Sequence, residues 1–244
     1  MIARISWYLG LAAIAGATAL LQLDRQTAVS PELVGLVPEP FRAVSQARIA
    51  AESLAAADPA RALDEAEKLV LRRPVPAQSL RLLALAQYRA GQLNEGSLSI
   101  QYAAKRGWRD VVAQEAMARL ALAAGDTAEA ARRYSALLAR QETPDALLES
   151  LGAEIFARDD GVAIEAMADI TSGSDRWIDL FLRRGVRVMP ADAFSKVVVK
   201  SIAKGAAIDC RTIDRLASTI GRRDSTAASR LSAAAPECAA GSGS

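Results

Sequence analysis

Small residues recur in this chain at an interval of 34, and no other feature restricts its fold as tightly. Ala50, Ala84 and Ala118 form one series, each preceded by a larger apolar residue: Ile49, Leu83 and Met117. Ala62, Gly96 and Ala130 form a second, with Glu95 and Glu129 one position before its later members. The turn positions Ala57, Gly91 and Gly125 form a third. At about 1.5 Å per residue, such a period holds two helices of about a dozen residues and two turns. A small side chain at a fixed place lets neighbouring helices approach to about 8–10 Å. The period therefore predicts an all-α chain of stacked helix hairpins. Turn signals at Asp58-Pro59, Pro74-Val75-Pro76, Gly107, Pro144 and Asp159-Asp160-Gly161 fit this spacing, and no strand-like alternation of useful length interrupts it.

Composition narrows the chemistry. Apolar residues make up 51% and aromatics only 5%, and Leu and Ala, both strong helix formers, carry most of the apolar content. The net charge of +2 lacks the basic excess of a nucleic-acid binder. Histidine is absent, which excludes a His-Cys zinc site, a His-dependent triad and a His pH switch. The spacing of Cys210 and Cys238 fits no metal motif, and no phosphate-cradling or calcium-loop pattern occurs. Ser201-Ile202-Ala203-Lys204 matches a serine–lysine nucleophile motif, but its partner elements are missing. Lys196, Lys200 and Lys204 read instead as a solvated helix face, and Arg72-Arg73, Arg132-Arg133 and Arg222-Arg223 as charges near helix C-termini. The expectation is a protein that is not an enzyme, with no cofactor, metal or small-molecule substrate.

Residues 5–23 carry no charge over nineteen positions, nearly enough to span a hydrocarbon core of about 30 Å. Arg4 precedes the run, and Trp7 and Tyr8 lie where interfacial aromatics belong. An uncleaved single-pass anchor is the first reading. A cleaved signal peptide, with small-x-small sites at 15–17 and 17–19, and a buried soluble helix are the alternatives. The resulting organisation is an anchor at 1–23 and a proline-bearing linker with at most one short helix at 24–40. Repeats follow at 41–175, a helical C-terminal cap at 176–236 and a Gly-Ser tail at 237–244. In the cap, a helix near 177–184 is expected to turn Trp177, Leu180 and Phe181 inward. Pro190 opens the next helix, which ends before Gly205; Asp209 caps a third ending near Gly221; Ser225 to Ala234 forms the last.

The repeats resemble the tetratricopeptide family. Leu83-Ala84, Gly91, Gly96, Ile100 and Ala103 occupy the family's Leu-Gly, Gly, Ala, aromatic and Ala slots, as do Met117-Ala118, Gly125, Ala130, Tyr134 and Leu137 in the following repeat. Ile49-Ala50, Ala62 and Pro74 match an earlier repeat, and a degenerate fourth runs from Asp145, with Leu151-Gly152 in place and Ala163 one residue out of phase. The first-helix tyrosine slot departs from the pattern, holding Ser53, Gln87 or Ala121, and Trp108 and Glu142 replace the terminal proline. The resemblance implies an α-solenoid whose first helices line a concave face for a partner protein. It places Gln78, Arg81, Leu85, Tyr88 and Arg89 on that face, followed by Val112, Glu115, Arg119 and Leu122, with Val44, Ala47, Ala51 and Leu54 from the earlier repeat.

The expected function is that of a periplasmic scaffold or assembly factor held in a bacterial inner membrane, serving envelope, secretion or exopolysaccharide machinery. The alternative is an accessory subunit that contacts a larger membrane complex through its transmembrane helix. In an oxidising periplasm Cys210 and Cys238 can form a disulfide, if a hairpin of the last two helices brings them together.

Overall fold

A computed structural model describes residues 2–56, 58–157 and 161–234. Among the described residues the regular structure is entirely helical. The chain divides into two compact units, residues 1–107 and 108–244, and the division falls inside the stretch read as repeats.

The N-terminal unit begins with α1 (Ile2–Gln26), followed by 3-10 turns at Pro31–Leu36 and Glu39–Phe41. Then come α2 (Val44–Ala55), α3 (Pro59–Arg72), α4 (Ala77–Arg89) and α5 (Leu93–Arg106). Within α1, the 23-residue stretch Arg4–Gln26 is long and apolar enough to cross a membrane. It is not a core helix, because its most apolar window is 0% buried. Trp7 and Tyr8 are 67% and 69% exposed.

The stretch read as a linker is folded. Asp24, at the end of α1, is buried, and its carboxylate reaches across nineteen to twenty-one residues to the start of α2. It accepts the backbone N–H groups of Ala43 (3.1 Å), Val44 (2.8 Å) and Ser45 (3.0 Å) and the Ser45 hydroxyl (2.6 Å). The first N–H groups of a helix have no partner within it, and Ala43 at the N-cap has no side chain that could serve. Asp24 supplies the missing acceptor from another helix, and its charge suits the helix N-terminus. Between them, the 3-10 turns bury Val37, whose carbonyl accepts from Arg42 Nε at 2.9 Å.

The period is visible in the helices. α3, α5 and α7 (Thr127–Leu138) begin at residues 59, 93 and 127, each 34 after the last. α2, α4 and α6 (Val111–Ala123) end at residues 55, 89 and 123, again 34 apart. Gly91 and Gly125 close equivalent turns in the left-handed region, at φ of +80° and +78°, where a side chain would be strained. Ala57 lies outside the described residues. Ala50, Ala84 and Ala118 are 0% exposed, and Ala62, Gly96 and Ala130 are also buried. α8 (Asp145–Phe156) starts 34 residues after α6, but α9 (Val162–Ser172) starts 35 after α7, a slip of one residue.

The core of the N-terminal unit is a thin layer of Ala50, Leu54, Ala62, Ala66, Leu69, Leu82 and Ala86. A buried polar link lies alongside it. Gln46 donates to the Glu65 carbonyl (3.0 Å) and carboxylate (2.7 Å) and accepts from Arg72.

The C-terminal unit comprises α6 to α9, then α10 (Asp175–Val188), α11 (Ala191–Ala203), α12 (Cys210–Gly221) and α13 (Ser225–Ala233). Asp110, Asp126, Asp209 and Asp224 each cap a helix by accepting an N–H three residues on. Among the described residues the interior is mainly aliphatic and contains three buried rings. Phe181 stacks on Phe194 at 5.0 Å between centroids, and Tyr134 meets Phe156 edge-on at 5.7 Å. Gly185 makes room for the stacked pair, since a Cβ there would come within 3.2 Å of both rings. The lysine face expected along α11 lies at the surface, with Lys200 and Lys204 exposed, and carries surface ion pairs. Lys200 and Lys204 pair with Glu165 of α9, Lys204 also with Asp169 (2.6 Å), and Lys196 with Asp192 (2.8 Å). Cys210 opens α12, whereas Cys238, Asp159-Asp160 and the Gly-Ser tail lie outside the described residues.

Candidate binding groove

The residues expected on a concave face divide between the two units. In the N-terminal unit, Gln78 and Arg89 are exposed and Arg81 is half-buried. Leu85 packs on the Ala-Leu core. Tyr88 lies across α5: its ring would be 3.0 Å from a Cβ at Gly96, and its hydroxyl is 3.1 Å from Ser97 Oγ. Val44 and Ala47 are half-buried, Ala51 is exposed and Leu54 is buried. In the C-terminal unit, Glu115 and Arg119 form an i, i+4 ion pair at 3.0 Å and Leu122 packs against the core, leaving Val112 exposed. Leu85, Tyr88 and Leu122, expected as interface anchors, are therefore engaged in packing within their own units. A stripe spaced four and three residues apart does share a helix face, but in α4 and α6 that face also meets the helix's own neighbours.

The serine–lysine pair is likewise separated. Ser201 is buried, donates to the Val197 carbonyl at 2.8 Å and lies 2.6 Å from Thr171 Oγ1. Outside α1, the displaced titrations move away from neutrality. Hydrogen bonds from Lys200 and Lys204 hold Glu165 down to about 2. Burial, the largest single influence, would raise Glu129 and Asp192, but the hydrogen bonds and charges of Arg133 and Arg132 on the first, and of Lys196 and Arg230 on the second, together outweigh it, and both sit low. Burial pushes the Tyr134 phenol up. These are the marks of structural ion pairs and of a packed ring.

A surface in the C-terminal unit has a different character. α10 turns Ile178, Phe181, Leu182 and Gly185 into the core. At four- and three-residue spacing, Arg176, Leu180, Arg183 and Arg187 form the opposite stripe. Three adjoining depressions lie along it. The first, about 600 Å³, has Trp108, Trp177, Asp169 and Ser174 in its wall. The second, about 240 Å³, shares both tryptophans and adds Arg109, Arg176 and Leu180. The third, about 450 Å³, shares Leu180 and Ala139 with the second and reaches Asp145, Arg183, Arg184 and Arg187. Trp177 and Leu180, expected to face inward, are only half-buried and form the groove floor, whereas Phe181 is fully inside.

Arg184 builds the far wall. Its guanidinium donates to the carbonyls of Leu138 (3.1 Å), Arg140 and Thr143 and pairs with Asp145 at 2.8 Å. It thereby satisfies the open carbonyls at the end of α7. Its neighbours are less committed. Arg187 is 3.9 Å from Asp145 and largely exposed. Among the described residues, Arg109, Arg176 and Arg183 form no ion pair; Arg109 rests on the Trp108 ring at 5.0 Å. Asp169, at the opposite end, is neutralised by Lys204. The groove thus combines two accessible tryptophans with Arg109, Arg176 and Arg183, which form no ion pair among the described residues, and with Arg187, only distantly paired with Asp145.

No local sequence signal marks this groove. Trp108 stands in a slot where the repeat pattern has proline, the one hint available, and it lies 69 positions from Trp177. A scan against protein-family models returns no match for this chain, and a search of curated proteins returns none either.

Proposed function

We propose that this protein is a membrane-anchored protein-binding module, a scaffold or assembly factor working on the periplasmic side of a bacterial inner membrane. The observation that carries the reading is the α10 groove. Tryptophan and arginine are the residues most enriched at energetically dominant interface positions, and both kinds stand here accessible. The lipid-sized apolar surface of α1 supports an anchor, and Arg4 ahead of it supports a cytoplasmic N-terminus with the body outside. A cleaved signal sequence would put the body in the same compartment. The 34-residue register of the hairpins supports a tetratricopeptide-like array, with the partner surface on α10 rather than on α4 and α6.

Two measurements on the full chain in cells test this. A C-terminal reporter active only outside the cytoplasm should be active. A photoreactive residue in place of Leu180 should give a discrete protein adduct, while one in place of the exposed Ser218 should not. A silent reporter, or no adduct from position 180, overturns the proposal. The second reading, an accessory subunit held through α1, is favoured by the Asp24 clasp that joins α1 to the body. It requires adducts from α1 positions such as Leu11 and none from position 180.

A further inference from the structure

We infer that the groove along α10 receives an extended acidic segment of its partner, with a large apolar side chain between Trp108 and Trp177 and carboxylates three or more residues further on. This rests on the reading of that groove as the partner surface and names the chemistry it selects. Charge fixes the order. The tryptophan end contains Asp169, already paired with Lys204, and offers rings and the hydroxyl-bearing Ser174. The other end presents Arg183 and Arg187, while Arg176 stands beside Trp177 in the middle depression. A basic segment would meet like charge along most of this length, and a purely apolar one would leave the guanidiniums facing it without acceptors.

Length follows from the helix. Arg176 to Arg187 is eleven steps along α10, about 16 Å, which an extended chain covers in about five residues. Trp177 to Arg183 is six steps, about 9 Å, or about three residues of extended chain. The recognised pattern is therefore an apolar residue, two spacers and then two or three acidic residues. Arginine at these positions suits planar, bidentate capture of carboxylates, which a lysine row would not provide. Arg184 is outside the binding role, because its donors already hold the end of α7.

The test uses the full chain carrying Trp7→Phe, in nanodiscs of zwitterionic lipid, so that only Trp108 and Trp177 fluoresce. The probe is the capped peptide Phe-Gly-Ser-Glu-Glu-Asp. It should shift and saturate the tryptophan emission with a dissociation constant of about 10–100 μM, a range typical of short linear segments, and weaken as salt rises. Replacing Phe by Gly, or the acidic residues by Ser, should each weaken binding about tenfold. Arg176→Glu combined with Arg183→Glu, both on the exposed stripe, should abolish binding and create binding of Phe-Gly-Ser-Lys-Lys-Arg. Arg89→Ala, in the N-terminal unit, should change nothing. Equal binding of the acidic and basic peptides, no gain for the basic peptide with the doubly reversed protein, or a response to anionic vesicles in place of the peptide overturns the inference. A position-180 adduct to a partner without this pattern overturns the inference while leaving the proposed function standing; absence of any adduct overturns both.

Discussion

In the N-terminal unit the buried cluster is alanine against leucine, with Ala50, Ala62, Ala66 and Ala86 between Leu54, Leu69 and Leu82. In the C-terminal unit a larger cluster of alanines and branched aliphatics also takes in Tyr134, Phe181, Phe194 and Met167. The repeat crosses the boundary: α6, α7 and α8 of the C-terminal unit keep its register, α6 and α7 through Ala118, Ala121, Ala130 and Ala131, and the slip comes only at α9. Two helices that meet through alanine must approach closely, and a fixed close distance tolerates no insertion, so α2 to α7 keep their register. Larger side chains fill wider and less regular spaces. The stacked rings Phe181 and Phe194 stand in α10 and α11, after α9 has slipped by one residue and the period has ended. The thin layer leaves more apolar surface uncovered: Leu71, Val75, Leu93 and Tyr102 of the N-terminal unit are all more than half exposed.

The largest effect that can break this comparison is in the ring core. Phe181→Ala removes one face of the stacked pair and leaves a cavity, which should destabilise the C-terminal unit by about 3–5 kcal/mol. Hydrogen exchange read by mass spectrometry should show protection falling across α10 and α11 and unchanged across α2 to α5. Loss of protection in both units at once would mean that they fold as a single cooperative body and that the contrast between them has no energetic meaning.

A smaller effect belongs to the N-terminal unit. Asp24→Ala leaves the first N–H groups of α2 without an acceptor and should cost about 1–2 kcal/mol. Faster amide exchange at Val44 and Ser45, with the C-terminal unit untouched, is the expected result. Unchanged exchange there would show that water replaces the carboxylate at no cost.

The smallest effect is in pH. The depressed carboxylates outside α1, Glu129, Glu165, Asp192 and Asp209, all belong to the C-terminal unit. A carboxyl group held lower in the folded than in the unfolded state adds stability above its unfolded value and loses it as pH falls through the folded one. For Glu165 that window runs from 4.5 down to about 2. Denaturant midpoints of the C-terminal unit should therefore be flat between about pH 5 and about pH 9 and decline below that window, and more steeply than those of the N-terminal unit. Glu165→Gln should flatten the decline, and an unaltered slope would remove Glu165 from the account.

Much of the helical layout could be read from sequence because its cause is local and periodic. Ala84 and Ala118 mark the buried places by being small, and Gly91 and Gly125 mark the turns by tolerating positive φ. Asp209 capping α12 and Pro190 ahead of α11 are equally local. The groove could not be read, because Trp108 and Trp177 meet only through folding, and neither declares at the sequence level whether its ring is inside or out. The surroundings of Leu85 and Tyr88 were hidden for a related reason. Helix spacing assigns residues to a face but does not say which neighbour covers it, and here the ring of Tyr88 lies over Gly96. Asp24 was hidden because it caps a helix twenty residues away, far beyond the three-residue reach of an ordinary cap.

That clasp makes α1 a lever rather than a tether. A flexible linker would let a body wander over the surface of its membrane, sampling partners at any angle. With Asp24 bonded to three successive N–H groups of α2, the last turn of α1 and the first turn of α2 share one frame. Where α1 crosses a bilayer, its nineteen uncharged residues are about 28 Å long, close to a hydrocarbon thickness of about 30 Å, and a thinner membrane makes it lean to fit. Any such lean would pass through Asp24 to α2 and tip the N-terminal unit with it.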